Sequence, residues 1–285
     1  MEGKQGQVSS HIAYPSDGKS TVTIVVASSR VGQETIFALA ANYASKVHIR
    51  AVFRSEENAQ SLAQLHPSVE IFVGSADIFS QDVLVLAFNG AHKALIVAPQ
   101  TEDRHLTVNK ILDFAAQGRV AHVVLIGGVY QEEEKFLFHR QWQASRKHAN
   151  TLGLKWTQLE CSDFCENLYR SKESIRTDGV IHGAGAEGVS APVALEDIGR
   201  AAALVLACEG CQYDNLGLKI VGPEPLSPLQ IADTFSRVLG KPIRFVDIGV
   251  RKAREVSEKI ARPSLEPQSM IRETHQNNNS GNDDN

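Results

Sequence analysis

The chain has 285 residues, of which 42% are hydrophobic, and it carries a formal net charge of −4. This length allows one large α/β domain, or one domain with a smaller lobe. The slightly negative charge gives no basic field that would attract nucleic acid, and it leaves regulation through a protein partner open. No apolar run approaches the roughly 20 residues of a membrane span, and the N-terminus has no apolar signal core. We therefore expect a soluble cytoplasmic protein, with the nucleus as a second location.

Strands and helices alternate along the first part of the chain. Short apolar, β-branched runs such as "TVTIVVA" are typical of strands buried on both faces, and the segments between them have apolar residues at helical spacing. The strands are predicted at 21–27, 47–53, 69–74, 93–99, 120–128 and 154–160. This alternation predicts an α/β fold with a doubly wound parallel sheet. Ligands of such sheets lie at the carboxyl ends of the strands, so the loop after the first strand is the first candidate site.

The pattern becomes less regular after residue 170. "IRTDGVIHGAGAEG" predicts a glycine-rich loop or hairpin, and the helix that follows is predicted to be capped by Glu196 or Asp197. "LKIVGPEPLSPLQIADTFSRVLGKPIRFVDI" predicts a strand, a turn, a helix and a strand. Ser227 suits the N-cap of that helix, Pro228 its first position, and Gly240 its end.

Four segments follow from these patterns. We expect a disordered polar lead at 1–20 and one α/β domain, built on the parallel sheet, at 21–168. A smaller α/β lobe at 169–262, from which the chain crosses back to the sheet, would form a cleft with that domain. The Asn-rich tail at 263–285 is nearly free of apolar residues and is predicted to be disordered.

The four cysteines form two local pairs, Cys161 with Cys165 and Cys208 with Cys211. Such spacings raise the possibility of zinc or of a redox-sensing thiol. One pair follows an apolar strand and the other ends a helix, which favours free structural thiols in a reducing compartment. We assign no metal site.

Several segments in order resemble the NmrA-like family, within the atypical short-chain dehydrogenases/reductases. They begin with "VVASSRVG", where family members have a loop like G-A-T-G-x-x-G, and with "VHIRAVFR". The other matching segments are "FNGAHKALIVAP", "LDFAAQGRVAHVVLIGG", "LGLKWTQLECSDFCENL", "VALEDIGRAAALVLA" and "LKIVGPEPLSPLQIADTFSRVLGKPIRFVDI". The resemblance implies that residues 21–168 form a Rossmann-like dinucleotide-binding domain, whose doubly wound parallel sheet has the strand order 3-2-1-4-5-6.

Only one of the three fingerprint glycines is present in the first loop. Val26, Ser29 and Gly32 occupy the positions that serve, respectively, the tight turn, the approach of backbone to pyrophosphate, and close helix–strand packing. Ser28, Ser29 and Arg30 can bind phosphate through their side chains, and the helix start offers free N–H groups. "ASSR" is similar to the NmrA regulators' version of this loop. The candidate cofactor-binding loop is Ala27, Ser28, Ser29, Arg30, Val31 and Gly32; the alternative is a plain strand–helix turn without a ligand.

Arg54 stands at the end of the second strand, where NAD-binding proteins place a carboxylate for the ribose hydroxyls. An arginine there suits a 2′-phosphate and favours NADP(H) over NAD(H). The alternative is that Arg54 ends the strand or pairs with Glu56 or Glu57. Pro99 and Gln100, after the fourth strand, would line the same crevice.

The residues for proton transfer are incomplete. Tyr130 lacks the lysine of a Tyr-x-x-x-Lys pair, since Glu134 stands four residues on and a glutamate would raise the pKa of the tyrosine. In related reductases a lysine stands eleven residues before the glycine of the S-G-L turn, and here that position is Trp142. Trp142 is predicted to pack or to form a stacking wall. Only Tyr130 and His139 remain as candidates for a proton role, and we assign no catalytic residue.

The resemblance and these substitutions together suggest an NADP(H)-binding redox sensor that regulates a protein partner, such as a transcription factor, without dehydrogenase activity. The first alternative is an NADPH-dependent reductase of a small carbonyl, quinone or alkene. The second is a cofactor-free protein-interaction module on a degenerate Rossmann fold.

Overall fold

The computed structural model describes residues 18–74, 81–99, 101–129, 137–210, 212–253 and 255. Its strands are β1 Ser20–Val25, β2 Val47–Phe53, β3 Glu70–Val73, β4 Lys93–Ile96, β5 His122–Gly128, β6 Lys155–Cys161, β7 Val180–Gly183, β8 Leu216–Ile220 and β9 Arg244–Asp247. Its helices include α1 Arg30–Asn42, α2 Glu56–Leu65, α3 Gln81–Phe88, α4 Arg104–Gln117, α5 Leu137–Thr151, α6 Lys172–Asp178, α7 Leu195–Ala207 and α8 Pro228–Leu239. A 3-10 helix spans Cys165–Ser171.

Seven strands form one parallel sheet in the order β3-β2-β1-β4-β5-β6-β8. The predicted order 3-2-1-4-5-6 is therefore confirmed, and β8 extends the sheet beyond β6. Apolar side chains of α1, α2 and α7 pack on one face, and those of α3, α4 and α5 pack on the other. The sheet is thus doubly wound, which explains why its strands consist of nearly unbroken apolar runs.

The described chain divides into two compact units. The first holds the described residues up to Asn167 together with Ser190–Pro225, and it contains the large sheet. The second holds Leu168–Val189 and the described residues from Leu226 onward. Its core consists of Ile175, Ile181, Ala232 and Ile243. The predicted cleft stays a prediction.

Two predictions for the later part of the chain are wrong. The expected glycine-rich loop or hairpin includes the end of α6 and all of β7, and β7 pairs in parallel with β9. Neither Glu196 nor Asp197 caps α7, because both lie inside its first turn and Ala194 holds the N-cap position. The carboxylate of Glu166 accepts the Leu195 N–H instead, at 3.0 and 3.2 Å.

The signals of α8 are confirmed. Ser227 and Gln230 form a capping box at its start, Pro228 takes the first position, and Gly240 ends it in a left-handed conformation. The predicted tail 263–285 lies outside the described residues. So does the predicted lead 1–20, except for residues 18–20, of which Ser20 opens β1. No helix among the described residues is both long and apolar enough to span a bilayer.

Candidate dinucleotide site

The loop after β1 lies at the carboxyl edge of the sheet, between the ends of β2 and β4. β1 pairs with both of these strands in parallel, so the chain leaves all three at the same edge. This topology places Arg54, which follows β2, and Pro99, which follows β4, on either side of the loop. Gln100 lies outside the described residues. The strand order reverses between β1 and β4, which is the switch point where doubly wound sheets bind ligands.

Val26 has the backbone conformation of the glycine that it replaces. Its φ is +60°, in the left-handed region that β-branched residues avoid. Its carbonyl accepts the Ser29 N–H at 2.9 Å, which closes the tight turn. The turn of the fingerprint is therefore kept without its glycine, and the loop carries backbone strain of about 1–3 kcal/mol.

Ser29 and Gly32 build the start of α1. The Ser29 hydroxyl accepts the Gly32 N–H at 3.0 Å as an N-cap. A Cβ on Gly32 would lie only 2.8 Å from the Val26 carbonyl oxygen and 3.0 Å from that of Ala27. The predicted close packing of helix on loop is therefore present at Gly32. The capping role of Ser29 was not predicted, although serine before a helix is its usual signal.

The N-terminus of α1 is suited to an anion. Its first turn contains no acidic residue, and the first N–H groups of an α-helix lie outside its internal hydrogen-bond ladder. The N-terminus of α7 differs, because the Glu166 carboxylate already accepts its first N–H. Ala27 cannot offer its own N–H to a ligand, since that group donates to the Val52 carbonyl at 3.0 Å.

Arg30 reaches a partner that the sequence did not suggest. Its Nη2 donates to the Oδ1 of Asn167 at 2.8 Å. Asn167 is 137 residues away and belongs to the segment after β6. No local pattern could have revealed this contact.

Arg54 is exposed at the end of β2. Among the described residues, no ion pair or hydrogen bond joins its side chain to Glu56 or Glu57, so the alternative of a local ion pair is not observed. Glu56 and Glu57 instead occupy the first turn of α2, where acidic side chains favour the helix dipole.

Trp142 is a packing residue. Its side chain is 3% exposed and belongs to the core between the sheet and the helices α3 to α5. The neighbouring charge of α5 is also paired, since Arg146 Nη1 lies 3.7 Å from Glu160 Oε1 and its guanidinium lies 5.2 Å from the Trp156 ring. The described part of α5 thus has an apolar side chain where related reductases have a lysine.

Of the two candidates for a proton role, His139 and Tyr130, the structure describes His139. His139 is buried, at 5% exposure, so it is not a solvated histidine on the helix surface. His148, also on α5, is half-buried and its Nε2 lies 2.7 Å from Asp113 Oδ1. Tyr130 lies outside the described residues. A proton role of His139 stays a prediction.

Two of the described cysteines, Cys161 and Cys165, have raised thiol pKa values, which disfavour the reactive thiolate. Burial raises the pKa of Cys161 to about 12. The pKa of Cys165 is also raised, first by partial burial and then by the neighbouring Glu166 carboxylate. Cys165 is nevertheless among the exposed residues. Within the described ranges no three His, Cys, Asp or Glu side chains group as metal ligands. Cys211 lies outside those ranges.

The comparison with known families covers almost the whole chain. The NmrA-like family matches residues 18–282. The chain belongs to the NmrA-like family. Its doubly wound sheet with a fingerprint loop after β1 is accordingly the Rossmann-like fold that its relatives share.

The known proteins that are similar to this chain include both enzymes and a regulator. An NAD(P)H azoreductase of Xenophilus azovorans is 22% identical over 243 residues, which are 85% of this chain and 82% of the azoreductase. The Citrobacter sp. triphenylmethane reductase, solved with NADP(H), has a TM-score of 0.70 at 24% identity, over 86% of this chain and 84% of that one. NmrA, a negative transcriptional regulator solved with NADP, has a TM-score of 0.67 at 20% identity, over 81% of this chain and 75% of its own.

Proposed function

We propose that this NmrA-like protein binds NADP(H) and acts as a redox sensor that regulates a protein partner, without dehydrogenase activity. The observation that carries the proposal is Trp142, which is buried in the apolar core at the position of the reductase lysine. The Trp142 side chain cannot transfer a proton, which favours cofactor binding without catalytic turnover. The tight turn at Val26 and the close helix packing at Gly32 retain the backbone shape of a dinucleotide-binding loop, which favours cofactor binding.

The residues at the carboxyl edge fit the chemistry of NADP(H). Arg30, the Ser28 hydroxyl and the first N–H groups of α1 would hold the pyrophosphate, since all of them are hydrogen-bond donors beside a positive helix end. Arg54 would hold the 2′-phosphate, because it is exposed and no carboxylate among the described residues pairs with it. A bound NADPH would carry a hydride on its nicotinamide, which the proposed sensor would bind without passing it to a substrate. The chain's own residues would bind and orient the cofactor.

Cofactor binding would regulate the partner by shifting the equilibrium between two conformations of this protein. A cofactor changes an equilibrium only by the difference in its affinity for the two states. The slightly negative net charge favours a protein, such as a transcription factor, as the partner over direct contact with nucleic acid.

Thermal denaturation with and without millimolar NADPH and NADH tests the binding step. A ligand of the native state raises the melting temperature by mass action. We expect a larger rise with NADPH than with NADH. No rise with either nucleotide would contradict the sensor and leave the cofactor-free interaction module, which the side chains of Val26 and Ser29 in glycine positions favour.

A reductase is the second candidate function. It is favoured by the similarity to the azoreductase and to the triphenylmethane reductase. Its signature is steady oxidation of NADPH with a quinone, azo, carbonyl or alkene acceptor, abolished by Arg54→Asp. A rise in melting temperature without turnover on this panel would support the sensor, and turnover would support the reductase.

A further inference from the structure

Arg30 and Asn167 connect two strand ends that are not neighbours in the sheet. Arg30 opens α1 after β1, and Asn167 follows β6, while β4 and β5 lie between those strands. The hydrogen bond between Arg30 Nη2 and Asn167 Oδ1 measures 2.8 Å. Both side chains are half-buried. A long, flexible side chain is thus held in one direction at the candidate phosphate loop.

The segment that carries Asn167 is itself anchored. The Asn167 N–H donates to the Phe164 carbonyl at 2.9 Å, and the Cys165 N–H donates to the Val193 carbonyl at 3.0 Å. Between them, the Glu166 carboxylate accepts the Leu195 N–H at the start of α7. The backbone that carries the Asn167 acceptor is therefore held in place on both sides.

We propose that Asn167 is a positioning residue, which holds the Arg30 guanidinium ready for the pyrophosphate of the dinucleotide. The inference rests on the proposed cofactor binding. An arginine whose rotamers are restricted before binding loses less conformational entropy when the ligand arrives. The acceptor is an amide oxygen, so this hydrogen bond orients the guanidinium without placing a negative charge beside it. A carboxylate at the same place would hold Arg30 equally well but would compete with the phosphates for its charge.

Isothermal titration of the wild type and of two Asn167 variants with NADP⁺ and NAD⁺ tests the positioning role of Asn167. Asn167→Ala is expected to weaken the binding of both nucleotides about tenfold and to leave the ratio of their affinities unchanged, because both contain the pyrophosphate. Asn167→Asp is expected to keep the melting temperature of the free protein, since it still accepts from Arg30, yet to weaken both nucleotides at least as much. Asn42→Asp adds the same charge at the far end of α1 and is the matched control, with unchanged affinity expected.

A double-mutant cycle tests whether Asn167 acts through Arg30. Arg30→Met should weaken both nucleotides, and adding Asn167→Ala to it should cause no further loss, because the group that Asn167 positions is already gone. Full additivity of the two losses would overturn the inference. Wild-type affinity in both Asn167→Ala and Asn167→Asp would also overturn it and leave the proposed function standing. Failure of the wild-type protein to bind either nucleotide would overturn both proposals.

Discussion

Gly199 of α7 lies directly against the backbone of Glu34 in α1. A Cβ on Gly199 would come within 2.6 Å of the Glu34 carbonyl carbon and within 2.8 Å of its carbonyl oxygen. The two helices therefore approach as closely as they do because this position has no side chain. The contact covers the face of the sheet whose core includes Ile36, Leu39 and Ile198.

Gly199→Ala tests this contact. Alanine in a helix ordinarily stabilises a protein by roughly 0.5–1 kcal/mol relative to glycine. Here we expect the opposite sign, a loss of about 1–3 kcal/mol in the free energy of unfolding, because the methyl group forces the helices apart. Urea denaturation measures the change, and Arg200→Ala, an exposed substitution on the same helix, should cost little. A Gly199→Ala protein as stable as the wild type would refute the close contact.

Val26 provides a test of strain. Val26→Gly and Val26→Ala both remove the two γ-methyl groups, but only glycine also removes Cβ and so relieves the left-handed backbone. We expect the glycine variant to be the more stable of the two by about 1 kcal/mol, which reverses their usual order. Chemical denaturation of both variants supplies the comparison. If the alanine variant were the more stable, Val26 would not have a positive φ in solution.

The cofactor preference depends on Arg54. Arg54→Gln should lower the affinity for NADPH ten- to about a hundredfold and change that for NADH by less than about twofold, because only NADPH carries the 2′-phosphate. Arg119→Gln is the matched control, since Arg119 is exposed just before β5, at the amino ends of the strands and away from the candidate site. Equal losses for the two nucleotides in the Arg54 variant would exclude the assigned role.

His122 makes stability dependent on pH. Its Nδ1 lies 3.1 Å from Asp214 Oδ1, and its Nε2 lies 2.8 Å from Thr157 Oγ1. Burial, aided by Lys93 and opposed by Asp214, lowers the pKa of His122. The unfolded chain thus takes up this proton at a higher pH than the folded protein. The contribution to stability is present above the ordinary histidine pKa of about 6.5 and is lost as the pH falls through the lower folded pKa.

Urea denaturation between pH 7.5 and pH 5 measures this dependence. We expect the wild type to lose on the order of 1 kcal/mol more than His122→Gln over this range. His182 is exposed, so His182→Gln should keep the wild-type slope. A His122→Gln slope identical to the wild type would show that His122 does not titrate there.

The strands of the large sheet were predictable because each is an apolar run between helical segments, and that pattern is local. Their order was expected from the resemblance to the NmrA-like family. Features that depend on distant partners were not predictable. Glu166 caps α7 from a segment nearly thirty residues earlier, so the local acids Glu196 and Asp197 gave a wrong cap. β7 pairs with β9 across most of the second unit, and this pairing leaves no mark in the short glycine-rich sequence around β7.

In the candidate site, too, the locally determined features were predictable and those that depend on distant partners were not. Gly32 could be assigned from its place in the fingerprint, because the packing of α1 on the loop is a local requirement. Burial of Trp142 followed from its chemistry and its helix. The link from Arg30 to Asn167 joins loops on separated strands, and no spacing rule predicts such a pair.

The path of the chain makes the first unit dependent on late residues. α7 and β8 belong to it, yet the chain passes through Leu168–Val189 of the second unit before forming them. During synthesis, the face of the sheet beside α1 stays uncovered until α7 has left the ribosome. A fragment ending at Asn167 would expose that apolar face and the open edge of β6, so it should aggregate instead of folding as an isolated Rossmann domain.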